Sequence, residues 1–434
     1  MLDINFIRTH QKLTEEATAN KGLDPTLVAE TLGLDDKRRE LLQKVESLRE
    51  QRNQNADSIK GGQPSPELID RGKQIKTELS TLETELTSTE AEYLTKLKQI
   101  PNIPWEDVPI GLSEDESIVA ETIGEPPEFD FPPKNHYEIA TARGWLDKER
   151  AAKVAGARFA YVLGDLVKLQ LAIIHFAIDT LTDEAKIAEI AEKAGLQISS
   201  KPFVPILPPY FIKTDLYDAM DRLEPREDRY KIDGEDLWLE GSAEHVLGSM
   251  HANEILEEKS LPLRYLGYAT SFRQEAGTYG KDTEGIFRVH QFDKLEMESF
   301  TNPETAFDEH LLFVAIQRYL IEALELPYRV LQKCTFDIGK PNARGIDMEI
   351  WLPSQAKYRE THTADYMTDY QSRRLKTRVR RDQTGELELV HTNDATAFAL
   401  GRTMIAIIEN YQTREGKITV PTVLRPYLNN KEEI

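Results

Sequence analysis

The sequence predicts an α+β protein that begins with a separate helical hairpin. Two observations support this fold class. Apolar heptads fill much of the first hundred residues of the 434-residue chain, and short β-rich runs mixed with helical segments fill the rest. Because the β-rich runs rarely occur in β-α-β order, they indicate an antiparallel sheet with helices packed on it. A chain of this length can form two or three domains.

The N-terminal hairpin is predicted over about residues 30–100, within an N-terminal domain of residues 1–104. Apolar residues at steps of three and four keep one stripe on each helix. Residues 60–66 contain the Gly and Pro that end helices. About 30 helical residues would extend about 45 Å. The heptad positions are Leu34, Leu41, Val45 and Leu48, then Ile75, Leu79, Leu82, Leu86, Tyr93, Leu97 and Ile100.

Two functions suit such a hairpin. Residues 35–60 contain seven basic and six acidic side chains, so this helix is nearly neutral within an acidic protein. It is either a solvated coiled coil that mediates oligomerisation or an arm that reaches a distant part of a large partner.

A linker is predicted over residues 105–135, because this stretch is acidic and rich in proline. A mixed domain follows over residues 136–434. Its predicted strands include residues 203–207, 237–239, 287–289, 348–352 and 387–390.

Composition and charge narrow the class of protein. A net charge of −21 disfavours non-specific nucleic-acid binding, although a basic appendage on an acidic body remains compatible with it. Cys334 is the single cysteine, which excludes a disulfide framework and a Cys-rich zinc site. Gln170 and His175 interrupt the longest apolar stretch, which is too short to span a membrane. The N-terminus lacks the apolar core of a signal peptide. We therefore expect a soluble cytoplasmic protein that does not enter membranes.

The most informative segment is residues 272–297. Its β-formers predict two antiparallel strands joined by a long polar loop over residues 276–285. Arg273 and Arg288 could grip phosphate groups bidentately, and an aromatic face could stack on a base. The alternative is a solvated hairpin whose charges only pair with each other.

Three further segments contain residues that could contribute to a binding site. In residues 397–410 a β-like segment passes through Gly401 into an apolar helix, with Arg402 at the helix start, where phosphate binds well. Residues 203–205 place a proline after two β-formers. Residues 373–381 are basic, and alternation would place four of them on one strand face. That face would contact phosphates or pair with surface carboxylates. The four are Arg374, Lys376, Arg378 and Arg380.

In chain order, the segments at 203–205, 272–297 and 397–410 resemble motifs one, two and three of class II aminoacyl-tRNA synthetases. FRQEAGTYGKDTEGIFRVHQFDKLEM, GRTMIAIIENYQ and the later VPTVLRPYL, together with the helical hairpin, resemble the seryl-tRNA synthetase family of the bacterial type. The resemblance covers essentially the whole chain. It implies a class II catalytic domain, with an antiparallel sheet and flanking helices, behind a tRNA-binding coiled-coil arm.

The resemblance also implies an ATP site. In the family, the residue matching Arg273 holds the α-phosphate, Glu275 reads the adenine amino group, and Phe292 stacks on adenine. Arg402 clamps the γ-phosphate side, and Glu360 binds Mg²⁺, with Thr363 where serine is usual. Adenylate formation needs positioned reactants and neutralised phosphate charge rather than a side-chain nucleophile.

For the amino acid, the resemblance assigns Glu296 to the ammonium group and Arg288 to the carboxylate. Ser242 and Glu244 stand where Thr-x-Glu is usual. Asp394 and Thr396 stand where Asn-Gly-Ser or Asn-Gly-Thr is usual. A pocket built to bond the serine hydroxyl rejects analogues that lack it.

Three departures from the family pattern lie near this amino-acid pocket. Residues 362–366, His-Thr-Ala-Asp-Tyr, replace Ser-Ser-Cys-Ser-Asn. Asp394 replaces an amide, and Glu240 with Gly241 replaces an apolar residue and a proline.

The implied activity is activation of L-serine with ATP and transfer of the seryl group to serine tRNA, and also to selenocysteine tRNA. The hairpin would read the long variable arm by shape and backbone contacts. Motif one would form a homodimer.

Two alternatives stay open. One is a ligase that charges a carrier protein or uses another small amino acid; such relatives lack the long arm. The other is a non-catalytic relative that acts as a coiled-coil interaction protein. The presence together of six matched site residues counts against it: Arg273, Glu275, Phe292, Glu296, Glu360 and Arg402.

Overall fold

The computed structural model describes residues 1–59, 65–276 and 285–434. The chain forms two compact units, Met1–Ile103 and Pro104–Ile434.

The first unit consists of helices α1 (Ile4–Thr9), α2 (Gln11–Asn20), α3 (Thr26–Ile59) and α4 (Pro66–Leu97). The long helices α3 and α4 pack side by side through an apolar stripe. They run antiparallel, because Glu30 near the start of α3 bonds Lys96 near the end of α4 at 2.8 Å. The predicted coiled-coil hairpin is confirmed. Its buried stripe is Leu41, Val45, Leu48, Ile75, Leu79 and Leu86.

The ends of the hairpin differ in detail from the heptad prediction. Leu34 is half-buried, whereas the neighbouring Asp35 is fully buried. Asp35 tolerates burial because Arg8 and Arg38 donate hydrogen bonds to it. At the other end, the Ser65 side chain accepts a hydrogen bond from the Leu68 amide and caps α4. The rest of the predicted break, residues 60–64, lies outside the described residues.

The second unit contains strands and helices in mixed order. Its helices are α5 (His136–Ala142), α6 (Lys148–Ala155), α7 (Asp165–Leu181), α8 (Glu184–Lys193), α9 (Thr214–Ala219), α10 (Glu244–Gly248), α11 (Ala306–Ala323), α12 (Tyr370–Leu375) and α13 (Leu400–Asn410). Its strands are β1 (Ile118–Ile123), β2 (Leu146–Asp147), β3 (Tyr161–Val162), β4 (Val204–Ile206), β5 (Phe211–Lys213), β6 (Leu237–Leu239), β7 (Ile255–Glu257), β8 (Leu263–Phe272), β9 (Gln291–Thr301), β10 (Tyr328–Gln332), β11 (Arg344–Leu352), β12 (Lys357–Thr368), β13 (Arg378–Arg380), β14 (Leu387–Leu389) and β15 (His391–Ala399).

An eight-stranded sheet organises this unit, in the order β1-β10-β11-β12-β15-β9-β8-β4. All neighbouring pairs are antiparallel except β4 with β8, which are parallel. The predicted antiparallel sheet is therefore confirmed. Of the predicted hairpin at 272–297, β8 and β9 are the two strands, and the loop residues 277–284 lie outside the described residues.

The two faces of the sheet have different chemistry. Leu295 and Met297 of β9 lie in the main apolar core together with residues of α7, α11 and α13. Because side chains alternate along a strand, Lys294, Glu296 and Glu298 point to the opposite face. This alternation places polar side chains on the face away from the core helices.

Three sequence expectations need correction. Residues 118–123, inside the predicted linker, form β1 and pair with β10, because their β-formers complete the edge of the sheet. Residues 287–289 form no strand. They form an irregular segment whose Phe287 and Val289 side chains are buried in the core. Their apolar character therefore reflects burial and not pairing in a β-sheet.

The third correction concerns the basic block. Arg374 lies in α12, and Lys376 ends that helix in a left-handed conformation with φ of 59°, so only Arg378 and Arg380 belong to a strand. The four residues therefore do not share one strand face. Arg374 is buried and pairs with Asp221 at 3.0 Å, as the carboxylate-pairing alternative expects.

No helix in the described part of the chain is long and apolar enough to cross a membrane.

Candidate active site

A cleft of about 330 Å³ opens on the polar face of the sheet. Strands β9, β12 and β15, helix α10, the start of α13 and the segments that follow β8 and precede β9 contribute its walls. Ser242, a further predicted site residue, does not line the cleft but touches it by accepting a hydrogen bond from Lys294 at 2.9 Å. The predicted residues that line the cleft are Glu244, Arg273, Glu275, Arg288, Phe292, Glu296, Glu360, Thr363, Asp394, Thr396 and Arg402.

One end of the cleft is rich in guanidinium groups. Arg273 directly follows β8, donates to the Gly241 carbonyl at 2.8 Å, and stands 5.3 Å from the centre of the Phe292 ring. Arg402 lies in the first turn of α13, 4.9 Å from the centre of the Phe287 ring. Both guanidinium groups are thus fixed by packing and retain donors for a polyanion.

Arg288 and Glu275 form an ion pair of 2.8 Å at this end. The sequence resemblance assigns them to different ligands, the amino-acid carboxylate and adenine. Glu275 has a positive φ of 54°, a conformation that a side chain rarely adopts without support from its surroundings. The structure brings the two residues together instead of holding them apart.

Glu360 and Thr363 supply adjacent oxygen atoms on β12. The Thr363 hydroxyl donates to the Glu360 carboxylate at 3.4 Å, and Arg402 approaches the same carboxylate at 3.2 Å. Despite partial desolvation, the charges of Arg402, Lys333 and Arg273 lower the pKa of Glu360 to about 2. A carboxylate that stays ionised, next to a hydroxyl, is a donor set suited to Mg²⁺.

Lys294 holds a second group of charged residues in the cleft, and sequence reasoning did not single it out. Its ammonium group forms an ion pair with Glu296 and approaches Glu244 at 3.5 Å. Burial raises the pKa of Glu296 to about 8, although Lys294 opposes the shift. The signal was present in the alternating run 291–296, where Lys294 is two residues from Glu296 and hence on the same strand face.

Glu240 is a second buried carboxylate that the sequence reasoning recorded only as a departure. It is fully buried, and the Ser271 hydroxyl donates to it at 3.2 Å. Burial, with Glu244 nearby, raises the pKa of Glu240 to about 8.

Arg222 and Asp365 also line the cleft and were not predicted as site residues. Arg222 lies 4.0 Å from Asp365 and 3.9 Å from Asp394. Arg222 comes from the segment after α9, far in sequence from the three motifs, so no local pattern could have identified it.

Comparison with known proteins gives matches over the full length. A family model described as "Seryl-tRNA synthetase N-terminal domain" matches residues 1–104, and one described as "tRNA synthetase class II core domain (G, H, P, S and T)" matches residues 228–411. The chain is 38% identical over 438 residues to the serine–tRNA ligase of Syntrophotalea carbinolica, and the match covers 100% of both chains.

Two solved structures are similar over the same length. Seryl-tRNA synthetase from Pyrococcus horikoshii, complexed with ATP, superposes with a TM-score of 0.89 at 36% identity, covering 100% of this chain and 99% of that one. The cytoplasmic serine–tRNA ligase of Naegleria fowleri, in complex with AMP, gives a TM-score of 0.84 at 29% identity, covering 100% and 98%.

Proposed function

The chain belongs to the seryl-tRNA synthetase family and is a serine–tRNA ligase with ATP as substrate, and from this premise we propose how its residues divide the reaction. The serine carboxylate attacks the α-phosphorus of ATP. The new acyl–phosphate bond forms as the bond to pyrophosphate breaks. A hydroxyl of the terminal adenosine of the tRNA then takes the seryl group as the acyl–phosphate bond breaks and AMP leaves. The protein's task is to position the two reactants and to neutralise phosphate charge.

The observation that supports these roles best is the meeting of Arg273, Arg402 and Phe292 in one cleft. We propose that Arg273 holds the α-phosphate and that Arg402 binds the γ-phosphate side of a bent ATP. Adenine would stack on Phe292, and Glu275 would accept a hydrogen bond from its amino group. Forked guanidinium donors suit phosphate oxygens, which accept bidentate hydrogen bonds.

The Arg288–Glu275 ion pair keeps two ligand-binding side chains inside the cleft before either ligand arrives. We propose that the pair opens on binding. Glu275 then turns to adenine and Arg288 to the serine carboxylate, so each exchanges one charge-assisted contact for another.

Mg²⁺ would be held by the Glu360 carboxylate with the Thr363 hydroxyl beside it. The ionised state of Glu360 and its contact with Thr363 fit this role. When bound, the ion would neutralise phosphate charge and orient the triphosphate. Arg402 approaches the same carboxylate and would keep Glu360 in place next to the phosphates.

Serine would occupy the part of the cleft around Lys294. We propose that Glu296 accepts from its ammonium group and that Thr396 and Glu244 bond its hydroxyl. Ser242 and Asp394 would complete the wall. Lys294 is a positioning residue, because its ion pair with Glu296 and its hydrogen bond to Ser242 hold both side chains.

The tRNA would be bound by the helical hairpin of α3 and α4, which we propose reaches the variable arm of serine tRNA and of selenocysteine tRNA. Recognition would rest on shape and backbone contacts rather than on base edges. We further propose a homodimer that works in the cytosol. A reducing compartment suits a chain whose single cysteine, Cys334, is buried and free.

Serine-dependent exchange of pyrophosphate into ATP tests the ATP site. Replacing Arg273 by alanine should lower exchange at least about 100-fold, because a donor aimed at developing charge is lost. Arg150→Ala is the matched control, since the Arg150 side chain is 81% exposed and far from the motifs in sequence. Unchanged exchange in the Arg273 variant would overturn the assignment.

A further inference from the structure

Glu298 is a buried carboxylate on the polar face of the sheet for which serine chemistry gives no role. It lies on β9 two residues beyond Glu296 and therefore on the same face. It is 1% exposed, and neither carboxylate oxygen has a hydrogen-bond partner. A buried carboxylate without a partner is costly, so its presence points to a ligand that satisfies it.

Two more carboxylates continue from Glu298 across neighbouring strands. Asp394 of β15 pairs in register with Glu298, and Asp365 of β12 pairs in register with Asp394. Side chains directly opposite each other on adjacent strands have Cβ atoms about 5 Å apart. Asp394 and Asp365 line the cleft, are 5% and 8% exposed, and each has one oxygen without a hydrogen-bond partner. We call these three residues the acidic row.

The acidic row is short of positive charge. Arg222 is the cation closest to it, at 3.9 Å from Asp394 and 4.0 Å from Asp365. Lys294 is paired with Glu296, and Lys333 approaches Asp347 at 3.6 Å. Two cations, Arg222 and the Lys333 ammonium that attracts Asp365, therefore face three carboxylates. Like charges directly opposite on a sheet are destabilising, and burial together with this crowding raises the pKa of Glu298 and of Asp394.

The composition of the acidic row also departs from the family pattern. In the family resemblance described above, Asp365 stands in place of a serine and Asp394 in place of an asparagine. Both changes introduce a carboxylate into the amino-acid pocket. Glu244 and Thr396 already provide partners for the serine hydroxyl, so the added carboxylates indicate a ligand with more donors or with positive charge.

We propose that the acidic row is a specificity subsite that accepts the side-chain ammonium of a small diamino acid, activated by this enzyme alongside serine. An ammonium group has three donors and no acceptor, which matches the carboxylate oxygens of the acidic row that lack a hydrogen-bond partner. The main-chain ammonium and carboxylate would use the same Glu296 and Arg288 as serine. Short side chains of one to three carbons fit, because the row lies only two residues along the strands from Glu296. This inference rests on the proposed serine site.

The test is pyrophosphate exchange by the full-length protein with serine, 2,3-diaminopropanoate, 2,4-diaminobutanoate, ornithine, threonine and alanine. At least one diamino acid should support exchange above the threonine and alanine background. Glu298→Gln should lower kcat/KM for that diamino acid about tenfold or more, because a charged partner is lost, while serine changes less than about threefold. Glu409→Gln is the matched control, a buried carboxylate on α13 that does not line the cleft.

The outcomes separate the two claims. Exchange with serine but with no diamino acid overturns the acidic subsite and leaves the serine site intact. Exchange with a diamino acid but not with serine supports the subsite and overturns the serine assignment. If the Glu298 variant does not fold, thermal stabilisation of the wild-type protein by each amino acid decides instead. A shift with serine alone then overturns the subsite.

Discussion

At the scale of single residues, the active site depends on a few buried charges that hold each other in place. Lys294 is the clearest example. Its ion pairs with Glu244 and Glu296 hold two carboxylates at positions where burial alone would favour their neutral forms. The pKa of the buried Lys294 ammonium group is also raised, because its attraction to these two carboxylates outweighs the cost of its desolvation. Removing the Lys294 side chain would therefore disturb both Glu244 and Glu296.

Glu240 gives a pH-dependent prediction. Its pKa is raised from 4.5 to about 8 by burial, so the folded protein keeps a proton that the unfolded chain releases between these values. The contribution of Glu240 to the unfolding free energy is fully present below about pH 4.5, and it is lost as the pH rises towards 8. We expect Glu240→Gln to remove this loss. The slope of the unfolding free energy against pH should become shallower by up to about 1.4 kcal/mol per pH unit.

Urea unfolding at pH 5.5, 6.5 and 7.5 measures this difference. Exposed Glu235→Gln is the control and should keep the wild-type slope. Parallel curves for the Glu240 variant and the wild-type protein would show that Glu240 is ionised when folded.

At the scale of elements, Gly285 fixes the segment that leads into β9. It has a φ of +64°, and a Cβ built there would lie 1.9 Å from the ring Nε2 of His136. That ring is held by the Glu409 carboxylate at 3.0 Å and cannot move without breaking the contact. The segment from Gly285 to β9 therefore approaches α5 more closely than any residue with a side chain allows.

Gly285→Ala should lower the unfolding free energy by about 1–3 kcal/mol, because it overpacks a filled site. Gly385→Ala is the matched control, with a similar φ of +72° but no neighbour within 4 Å, so it reports backbone strain alone. On a His136→Ala background the cost of Gly285→Ala should shrink by at least about 1 kcal/mol. Equal costs on both backgrounds in urea unfolding would contradict the steric explanation.

The helical hairpin is a second element with a separable role. Ion pairs such as Arg49 with Glu83 and the apolar stripe from Leu41 to Leu86 hold α3 to α4. None of these contacts involves the cleft residues. The hairpin can therefore be shortened while its own base is kept.

Deleting residues 42–85 and joining Leu41 to Leu86 by a short glycine-containing turn should spare pyrophosphate exchange to within about threefold. It should lower serine transfer to tRNA at least about 100-fold, because a multi-contact interface of several kcal/mol is lost. Both activities are measured on one preparation. Full charging by the shortened protein would show that the hairpin is not the tRNA-binding arm.

At the scale of the whole molecule, the two faces of the sheet have separate roles, one in stability and the other in the active site. One face packs on α7, α11 and α13 to form the core, and the other bears the cleft. Strand β4 ends the sheet, and apolar side chains near it face outward, with Val204 55% and Leu207 78% exposed. Exposed apolar groups on an edge favour association with a second copy.

We expect the protein to be a dimer in light scattering, and the double variant Val204→Asp, Leu207→Asp to shift it towards the monomer. Placing charges in an apolar interface raises its dissociation constant by an expected 100-fold or more. Val154→Asp is the control, because Val154 is 72% exposed on α6, outside the motif-one segment. A monomeric wild-type protein would refute the homodimer.

Local sequence patterns predicted much of this molecule. The heptads at 34–100 and the segment 272–297 act through neighbours in sequence, so the hairpin and the β8–β9 pair followed from periodicity. The matched roles of Arg273 and Arg402 came from short motifs whose spacing is kept within one strand or one turn. The full-length relatives do not favour the two alternatives, the carrier-protein ligase and the non-catalytic relative.

What the sequence determined by itself is the fold class and a resemblance to seryl-tRNA synthetases that implies adenylate formation, because heptads and motifs are local. Only the tertiary structure decided which charges meet. It paired Arg288 with Glu275, brought Arg222 to Asp394, and aligned Glu298, Asp394 and Asp365 across three strands. Strand register and helix packing set these distances between residues far apart in the chain, and the energy of a buried charge depends on such distances.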